Sequence, residues 1–190
     1  MLKDDWRVKL YYSNPNIHPK EEYDLRRTTL EDYATTQGVP YEVGPYEPDL
    51  WNERVGLYGG PYPLIPGAEN FEMNLAAKKR RCLACYRLRF EQLALCAHSE
   101  GLEYLDSTLT ISPYQFAQEI KQALSESAQE RRLSSLDNDW RPYYAEATSK
   151  SLSLGMYRQN YCGCFYSEEE ARLERQARKA AKRKTQGVNT

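Results

Sequence analysis

The sequence predicts an α/β protein whose strands form a parallel sheet with helices on both faces. Short runs rich in β-branched and aromatic residues recur along the chain, of which Arg7–Tyr12 is the clearest. Stretches with apolar residues at helical spacing separate these runs, and strands that alternate with helices favour a parallel sheet. The length of 190 residues is that of one ordinary domain, enough to bury a sizeable core.

The predicted elements follow in order along the chain. The strand at 7–12 leads into a helix that starts near Pro19 and ends at Gly38, a common helix stop. We then predict a strand at 39–43, a helix at 50–55, an irregular loop at 56–67, a helix at 82–99, a strand at 102–108, and helices at 114–132 and 145–154. Ser167 and Glu170 have the spacing of a capping box that starts a charged surface helix. We therefore divide the chain into an α/β domain at 1–166 and a charged C-terminal helix and tail at 167–190.

Composition excludes several classes of protein. The 26 basic and 27 acidic side chains nearly cancel, so net charge indicates no partner. No apolar run approaches the roughly 18–20 residues that span a bilayer, and the N-terminus is not a signal peptide, so we predict a cytoplasmic protein with no membrane partner. Two local basic clusters could bind a polyanion or be solvated helix faces. The first is Lys78, Lys79, Arg80, Arg81, Arg87 and Arg89, and the second runs from Arg172 to Lys184.

The candidate chemistry lies in the five cysteines, since only two histidines occur. Cys82 and Cys85 form a Cys-x-x-Cys motif that we place at the start of a helix beside arginines, a setting that lowers thiol pKa values and favours metal binding. Zinc sites, iron–sulfur proteins and thioredoxin-like proteins all use this motif. We interpret Cys96 as a small buried hydrophobic residue, His18 as a loop residue and His98 as a helix-end residue.

The second cysteine motif is Cys162-Gly163-Cys164. A disulfide between cysteines two residues apart closes a tight, strained ring, which makes it labile and suited to electron exchange. The alternative is that Cys162 and Cys164 join Cys82 and Cys85 in a four-sulfur zinc site. The spacing leaves both interpretations open.

Four blocks of the sequence resemble the QueH-type epoxyqueuosine reductase family. The blocks are Tyr12–Tyr23 (YSNPNIHPKEEY), Arg81–Arg89 (RCLACYRLR), Ser107–Pro113 (STLTISP) and Leu154–Cys164 (LGMYRQNYCGC). They occur in the family's order and cover roughly residues 8–167. The resemblance implies an α/β fold of the HUP type, which is a nucleotide-binding class of parallel sheet.

The resemblance also implies a function. It implies an oxidoreductase that removes the epoxide oxygen of epoxyqueuosine at the wobble position of tRNA, with an electron donor that the sequence does not identify. By this resemblance Cys82 and Cys85 bind a 4Fe–4S cluster, and Cys162 and Cys164 are a redox-active, catalytic pair. The basic cluster beside Cys82 would then hold tRNA phosphates, and loop tyrosines would stack on unpaired bases.

The chain departs from the family at its N-terminal end. The family's first strand and an adjacent Cys-Cys pair should lie before Arg7, whereas no cysteine precedes Cys82. We therefore expect the N-terminal strand and two of the four cluster ligands to be missing, and we favour a start site assigned too far downstream. Three alternatives stay open, namely a non-catalytic tRNA-binding zinc protein, a metal-free thiol–disulfide protein and a truncated, inactive family member.

Overall fold

The computed structural model describes residues 6–187, in which long helices connect short parallel strands. The elements are β1 (Leu10–Tyr12), α1 (Lys20–Gln37), β2 (Tyr41–Val43), α2 (Pro48–Val55), α3 (Phe71–Ser99), β3 (Tyr104–Leu105), α4 (Ala117–Glu130), β4 (Ser134–Ser135), α5 (Tyr144–Ser153) and α6 (Phe165–Gly187). Single 3-10 turns occupy Gly56–Tyr58, Thr108–Ile111 and Arg141–Tyr143. The predicted α/β class is confirmed. The described part of the chain contains no helix with the length and apolar character needed to cross a membrane.

The strands pair in parallel, as the alternation of strands and helices predicts. β1 pairs with β2, with Leu10 opposite Tyr41, and β3 pairs with β4, with Tyr104 opposite Ser134. Within residues 6–187 these are two sheets of two strands each, so β1 and β3 each have a strand partner on one side only. α1 connects the first pair and α4 connects the second, and the carboxyl ends of β1 and β3 lead into the loops that begin at Ser13 and Asp106.

The predicted end of α1 is confirmed. Gly38 adopts a left-handed conformation with φ of 60°, and its N–H donates to the carbonyl of Thr35 while the N–H of Val39 donates to that of Ala34. These bonds satisfy carbonyls that the helix end leaves without a partner. Glycine adopts this conformation without the steric cost of a Cβ atom.

α3 begins eleven residues earlier than predicted, at Phe71 instead of Cys82. The residues before Cys82 are mostly good helix formers, and the basic side chains among them project from the helix without ending it. Cys82 and Cys85 therefore lie in the interior of a 29-residue helix. The prediction that they sit at a helix N-terminus is wrong.

Within residues 6–187, three buried clusters stabilise the fold. The largest joins α3, α4 and β3, through residues that include Tyr86, Phe90, Leu105 and Ile120. A second surrounds β1 and α1 with Tyr12, Ile17 and Tyr23. The third consists of Trp51, Val55, Cys85, Leu88 and Cys164, and we call it the cysteine cluster. It joins α2 and α3 to the segment that begins α6.

A buried ion pair attaches α6 to α3. The guanidinium Nη2 of Arg81 lies 2.7 Å from Oε1 of Glu170, and their side chains are only 2% and 1% exposed. Glu170 Oε1 also accepts a hydrogen bond from the N–H of Tyr62, and Arg81 Nη1 donates to the carbonyl of Gly59. Lys78 Nζ lies 3.1 Å from Glu170 Oε2. The irregular loop at 56–67 is thus held between the two helices.

This role of Glu170 corrects the predicted capping box. α6 begins at Phe165, two residues before Ser167, and the Ser167 hydroxyl accepts from the N–H of Gly163. The carboxylate of Glu170 points instead to Arg81 and the loop, because the buried guanidinium offers a stronger, charge-assisted partner than a helix-end N–H. The division at 166/167 stays a prediction.

Candidate functional site

The two cysteine motifs, about 80 residues apart in sequence, meet in the cysteine cluster. Cys85 on α3 is 8% exposed and Cys164, directly before α6, is 6% exposed. The indole Nε1–H of Trp51 donates to Cys85 Sγ over 3.2 Å. Cys82 and Cys162 are partly exposed, Cys82 packs against the largest cluster, and all four thiols are free. One cysteine of each motif therefore lies in the same buried cluster, and a shared functional site stays a prediction.

Burial controls the protonation of these thiols. It is the largest cause that raises the pKa values of Cys82, Cys85 and Cys164. The positive charge of Arg81 lowers the pKa of each of these thiols, as the sequence predicts, but by less than burial raises it. The prediction of lowered thiol pKa values is wrong, because the cysteines lie inside α3 and its packing and not at an exposed helix start. At neutral pH the thiols are protonated until a metal or a reaction partner displaces the proton.

The Cys-Gly-Cys segment is held by the first half of the chain. Arg26 Nη1 donates to the carbonyl of Cys162 over 2.9 Å, and the N–H of His18 donates to the carbonyl of Gly163 over 2.9 Å. The hydroxyl of Tyr161 donates to the carbonyl of His18. Arg26 is itself fixed by the carboxylate of Glu22, 2.7 Å from Nη2. Hydrogen bonds from α1 and from the loop after β1 therefore hold the backbone between the two thiols.

Glycine is required at position 163, where the backbone lies close to the side chains of Ile17 and Arg26. Its φ is 126°, and an added Cβ atom would lie 2.8 Å from Cγ1 of Ile17 and 3.0 Å from Nη1 of Arg26. We expect Gly163→Ala to lower the free energy of unfolding by about 1–3 kcal/mol, since it combines backbone strain with a clash. Gly155→Ala is the matched control, because Gly155 also has a positive φ but has open space around it. Urea unfolding of both variants measures the difference, and equal losses would contradict the close contact.

In this structure the four cysteine sulfurs are farther apart than a closed zinc site requires. Within the residues that the structure describes, no three of their sulfurs lie within 4.8 Å of one another. Tetrahedral zinc with four thiolates at about 2.3 Å requires all four sulfurs to be closer than that. An iron–sulfur cluster places its own iron and sulfide atoms between the cysteines and therefore accepts a wider spacing.

Cys96 does not lie in the core, contrary to the prediction. It is partly exposed, and its Sγ lies 4.0 Å from Oε1 of Glu100. Partial burial and the negative charge of Glu42 raise the pKa of this thiol to about 11. Lys9 bridges the carboxylates of Glu42 and Glu100, so one of the two negative charges beside Cys96 is balanced within the protein.

The first basic cluster is mostly structural. Arg81 is buried against Glu170, Lys79 pairs with Glu119, and Arg87 pairs with Glu126. Arg89 donates to the carbonyl of Ser13, which ties α3 to the loop after β1. The prediction that this cluster binds phosphates is wrong for Arg81, whose guanidinium is out of reach of any ligand at the surface.

Sequence reasoning missed several residues that shape the site. Arg26 carried a visible signal, since Glu22 and Arg26 have the spacing of an ion pair on one helix. For Trp51 the only signal in the sequence was its large apolar side chain, and for Phe165 it was the position next to Cys164. His98 lies in the last turn of α3, so its interpretation as a helix-end residue is confirmed. His18 is exposed and lies edge-on to Phe165.

The fold and site together define an α/β protein that brings two cysteine pairs together beneath its surface. A family model described as epoxyqueuosine reductase QueH matches residues 1–170. The chain belongs to this family, whose members are oxidoreductases.

Named relatives support this assignment. The epoxyqueuosine reductase QueH of Dehalococcoides mccartyi is 32% identical over 163 residues, which are 86% of this chain and 80% of the relative. That of Acinetobacter baylyi is 29% identical over 161 residues, with 83% and 67% covered. That of Thermotoga maritima is 28% identical over 170 residues, with 87% and 81% covered.

Proposed function

We propose that this chain reduces the epoxide of epoxyqueuosine in tRNA, with Cys162 and Cys164 as the redox pair and Cys82 and Cys85 as two ligands of a 4Fe–4S cluster. The observation that carries the proposal is the contact between the two cysteine motifs, through Cys85 and Cys164, in one buried cluster. The family's name supplies the substrate.

The redox pair accounts for the electrons of the reaction. Removing the oxygen of an epoxide requires two electrons and two protons, and it gives a carbon–carbon double bond and water. Two thiols that join in a disulfide release two electrons and two protons. Oxidation of Cys162 and Cys164 thus balances one turnover, after which an external donor must reduce the disulfide again. Arg26 and His18 hold the backbone between the two thiols through hydrogen bonds to the carbonyls of Cys162 and Gly163.

Two cysteines of α3 supply two of the four ligands of the proposed cluster. Cys82 and Cys85 are one helical turn apart on α3, as a Cys-x-x-Cys ligand pair requires. Their raised pKa values mean that binding of the cluster must displace the thiol protons. When bound, the cluster offers a Lewis-acidic iron that polarises the epoxide C–O bond. The family's other two ligands come from a Cys-Cys pair, and the sequence has no cysteine before Cys82.

Binding of tRNA is assigned to the surface around α6. Arg172, Arg175, Arg178 and Lys179 are exposed on this helix, whereas most of the first basic cluster is paired within the molecule. Deletion of residues 168–190 is not a clean test of this assignment, because it removes Glu170 from its buried ion pair. Reversal of exposed charges, as in Arg175→Glu with Arg178→Glu, changes the surface and leaves that pair intact.

The test of the proposal is the metal content of the chain purified without oxygen. We expect iron and sulfide in equal amounts, with the visible absorbance of an iron–sulfur cluster, and we expect Cys82→Ser to lose both. Cys96→Ser is the matched control, since Cys96 lies outside the cysteine cluster, and it should keep wild-type iron. Zinc without iron would instead support the non-catalytic zinc protein, and a metal-free chain with a labile bridge would support the thiol–disulfide protein.

A further inference from the structure

Phe165 is an exposed aromatic side chain directly beside the redox pair. It follows Cys164 in sequence, and its side chain is 60% exposed although it starts the first turn of α6. Its ring lies 6.0 Å from that of His18, at an interplanar angle of 78°. His18 comes from the loop after β1 and is exposed as well. Two rings from distant parts of the chain thus form an open corner next to Cys164.

Phe165 also lines an open pocket on the surface of α6. The pocket has a volume of about 280 Å³ and is lined by Phe165, Glu168, Glu169, Arg172 and Arg175. All five lining residues lie on one helix, so the pocket is open to solvent along the surface of α6. Arg172 pairs with Glu169, whereas Arg175 is exposed one turn further along. The pocket therefore has the Phe165 ring at the end nearer Cys164 in sequence and the exposed Arg175 at the other.

We propose that Phe165 stacks on the wobble base of the tRNA and so places the group attached to that base at Cys162 and Cys164. Unpaired RNA bases are bound by stacking on exposed aromatic side chains, and cations beside such a platform attract the adjoining phosphates. The order of features along α6 matches this arrangement, with the ring at the thiols and basic residues from Arg172 onwards. The inference rests on the proposed function, because it takes tRNA as the substrate.

The test is a double-mutant cycle between Phe165 and the wobble base. The RNA is a hairpin with a tRNA anticodon loop that carries unmodified guanosine at the wobble position, and the readout is its dissociation constant by fluorescence anisotropy. We expect Phe165→Ala to weaken binding about 5- to 150-fold, since stacking on one base contributes about 1–3 kcal/mol. Phe165→Tyr should bind nearly as tightly as the wild type, and Phe165→Leu should behave like Phe165→Ala.

The decisive arm uses the same hairpin with an abasic wobble nucleotide. The wild type should bind this RNA more weakly, and Phe165→Ala should cause little further loss. Tyr114→Ala is the control for a general effect of exposed aromatic residues, because Tyr114 is 82% exposed and lies outside the pocket. Equal binding of the guanosine hairpin by the wild type and Phe165→Ala would overturn the assignment of Phe165. So would a Phe165→Ala loss with the abasic hairpin as large as that with the guanosine hairpin. Either result would leave the proposed tRNA substrate standing. A wild-type chain that does not bind the guanosine hairpin would overturn the proposed tRNA substrate as well.

Discussion

Replacement of Glu170 by glutamine is expected to lower the free energy of unfolding by about 3–5 kcal/mol, the usual effect of removing one partner from a buried ion pair. The guanidinium of Arg81 would then be buried beside a neutral amide, and Lys78 would lose its partner at Oε2. The glutamine amide oxygen still accepts one hydrogen bond. The loss of unfolding free energy therefore reports the missing charge more than a change in packing. Urea unfolding followed by circular dichroism gives the value directly.

Two further variants make this result specific. Glu169→Gln changes the neighbouring carboxylate, whose ion pair with Arg172 is exposed, and it should leave stability close to that of the wild type. Arg81→Met combined with Glu170→Leu replaces both charges by apolar groups and should recover much of the stability that Glu170→Gln loses. If Glu170→Gln and Glu169→Gln unfold alike, the pair does not hold α6 against α3.

Replacement of either cysteine of the proposed redox pair by serine is expected to reduce formation of queuosine in tRNA by roughly 10³-fold or more, since the proposed reaction takes both electrons from this pair. Cys162→Ser is the cleaner variant, because Cys162 is partly exposed whereas Cys164 is buried in the cysteine cluster. The measurement is product formed with tRNA that carries epoxyqueuosine and a chemical reductant.

The effect on binding distinguishes chemistry from structure. Cys162→Ser should bind the substrate tRNA like the wild type and should unfold at the same urea concentration. Cys96→Ser controls for the loss of any thiol and should keep full activity, because Cys96 lies beside Glu100, outside the cysteine cluster. Wild-type turnover by Cys162→Ser would exclude a redox role for the Cys-Gly-Cys motif.

Much of the fold could be predicted from local sequence signals. The end of α1 at Gly38 and the parallel pairing of short strands follow from glycine conformation and from the alternation of elements. The start of α3 could not be predicted in this way, because the basic residues before Cys82 give the same sequence pattern on a helix as in a charged loop. β4, with only the residues Ser134–Ser135, has no apolar pattern at all and exists through its pairing with β3.

The candidate site residues came from the sequence, but their electrostatics could not be predicted from it. The spacing of the cysteines identified both motifs, and the family resemblance joined them. The direction of the thiol pKa shifts depends on how deeply α3 packs against α2 and the start of α6, which local sequence does not report. The same is true of Arg81, since a basic residue in a basic cluster gives no sign that it pairs with a carboxylate 89 residues away.

The most direct test of the account is a single turnover with thiol mapping. The chain is fully reduced, freed of excess reductant and mixed with tRNA that carries epoxyqueuosine, and the remaining thiols are then alkylated and located by mass spectrometry. The account predicts one queuosine formed for each chain oxidised, with Cys162 and Cys164 lost as free thiols together and Cys96 unchanged. Queuosine formed while Cys162 and Cys164 both stay alkylatable would contradict it.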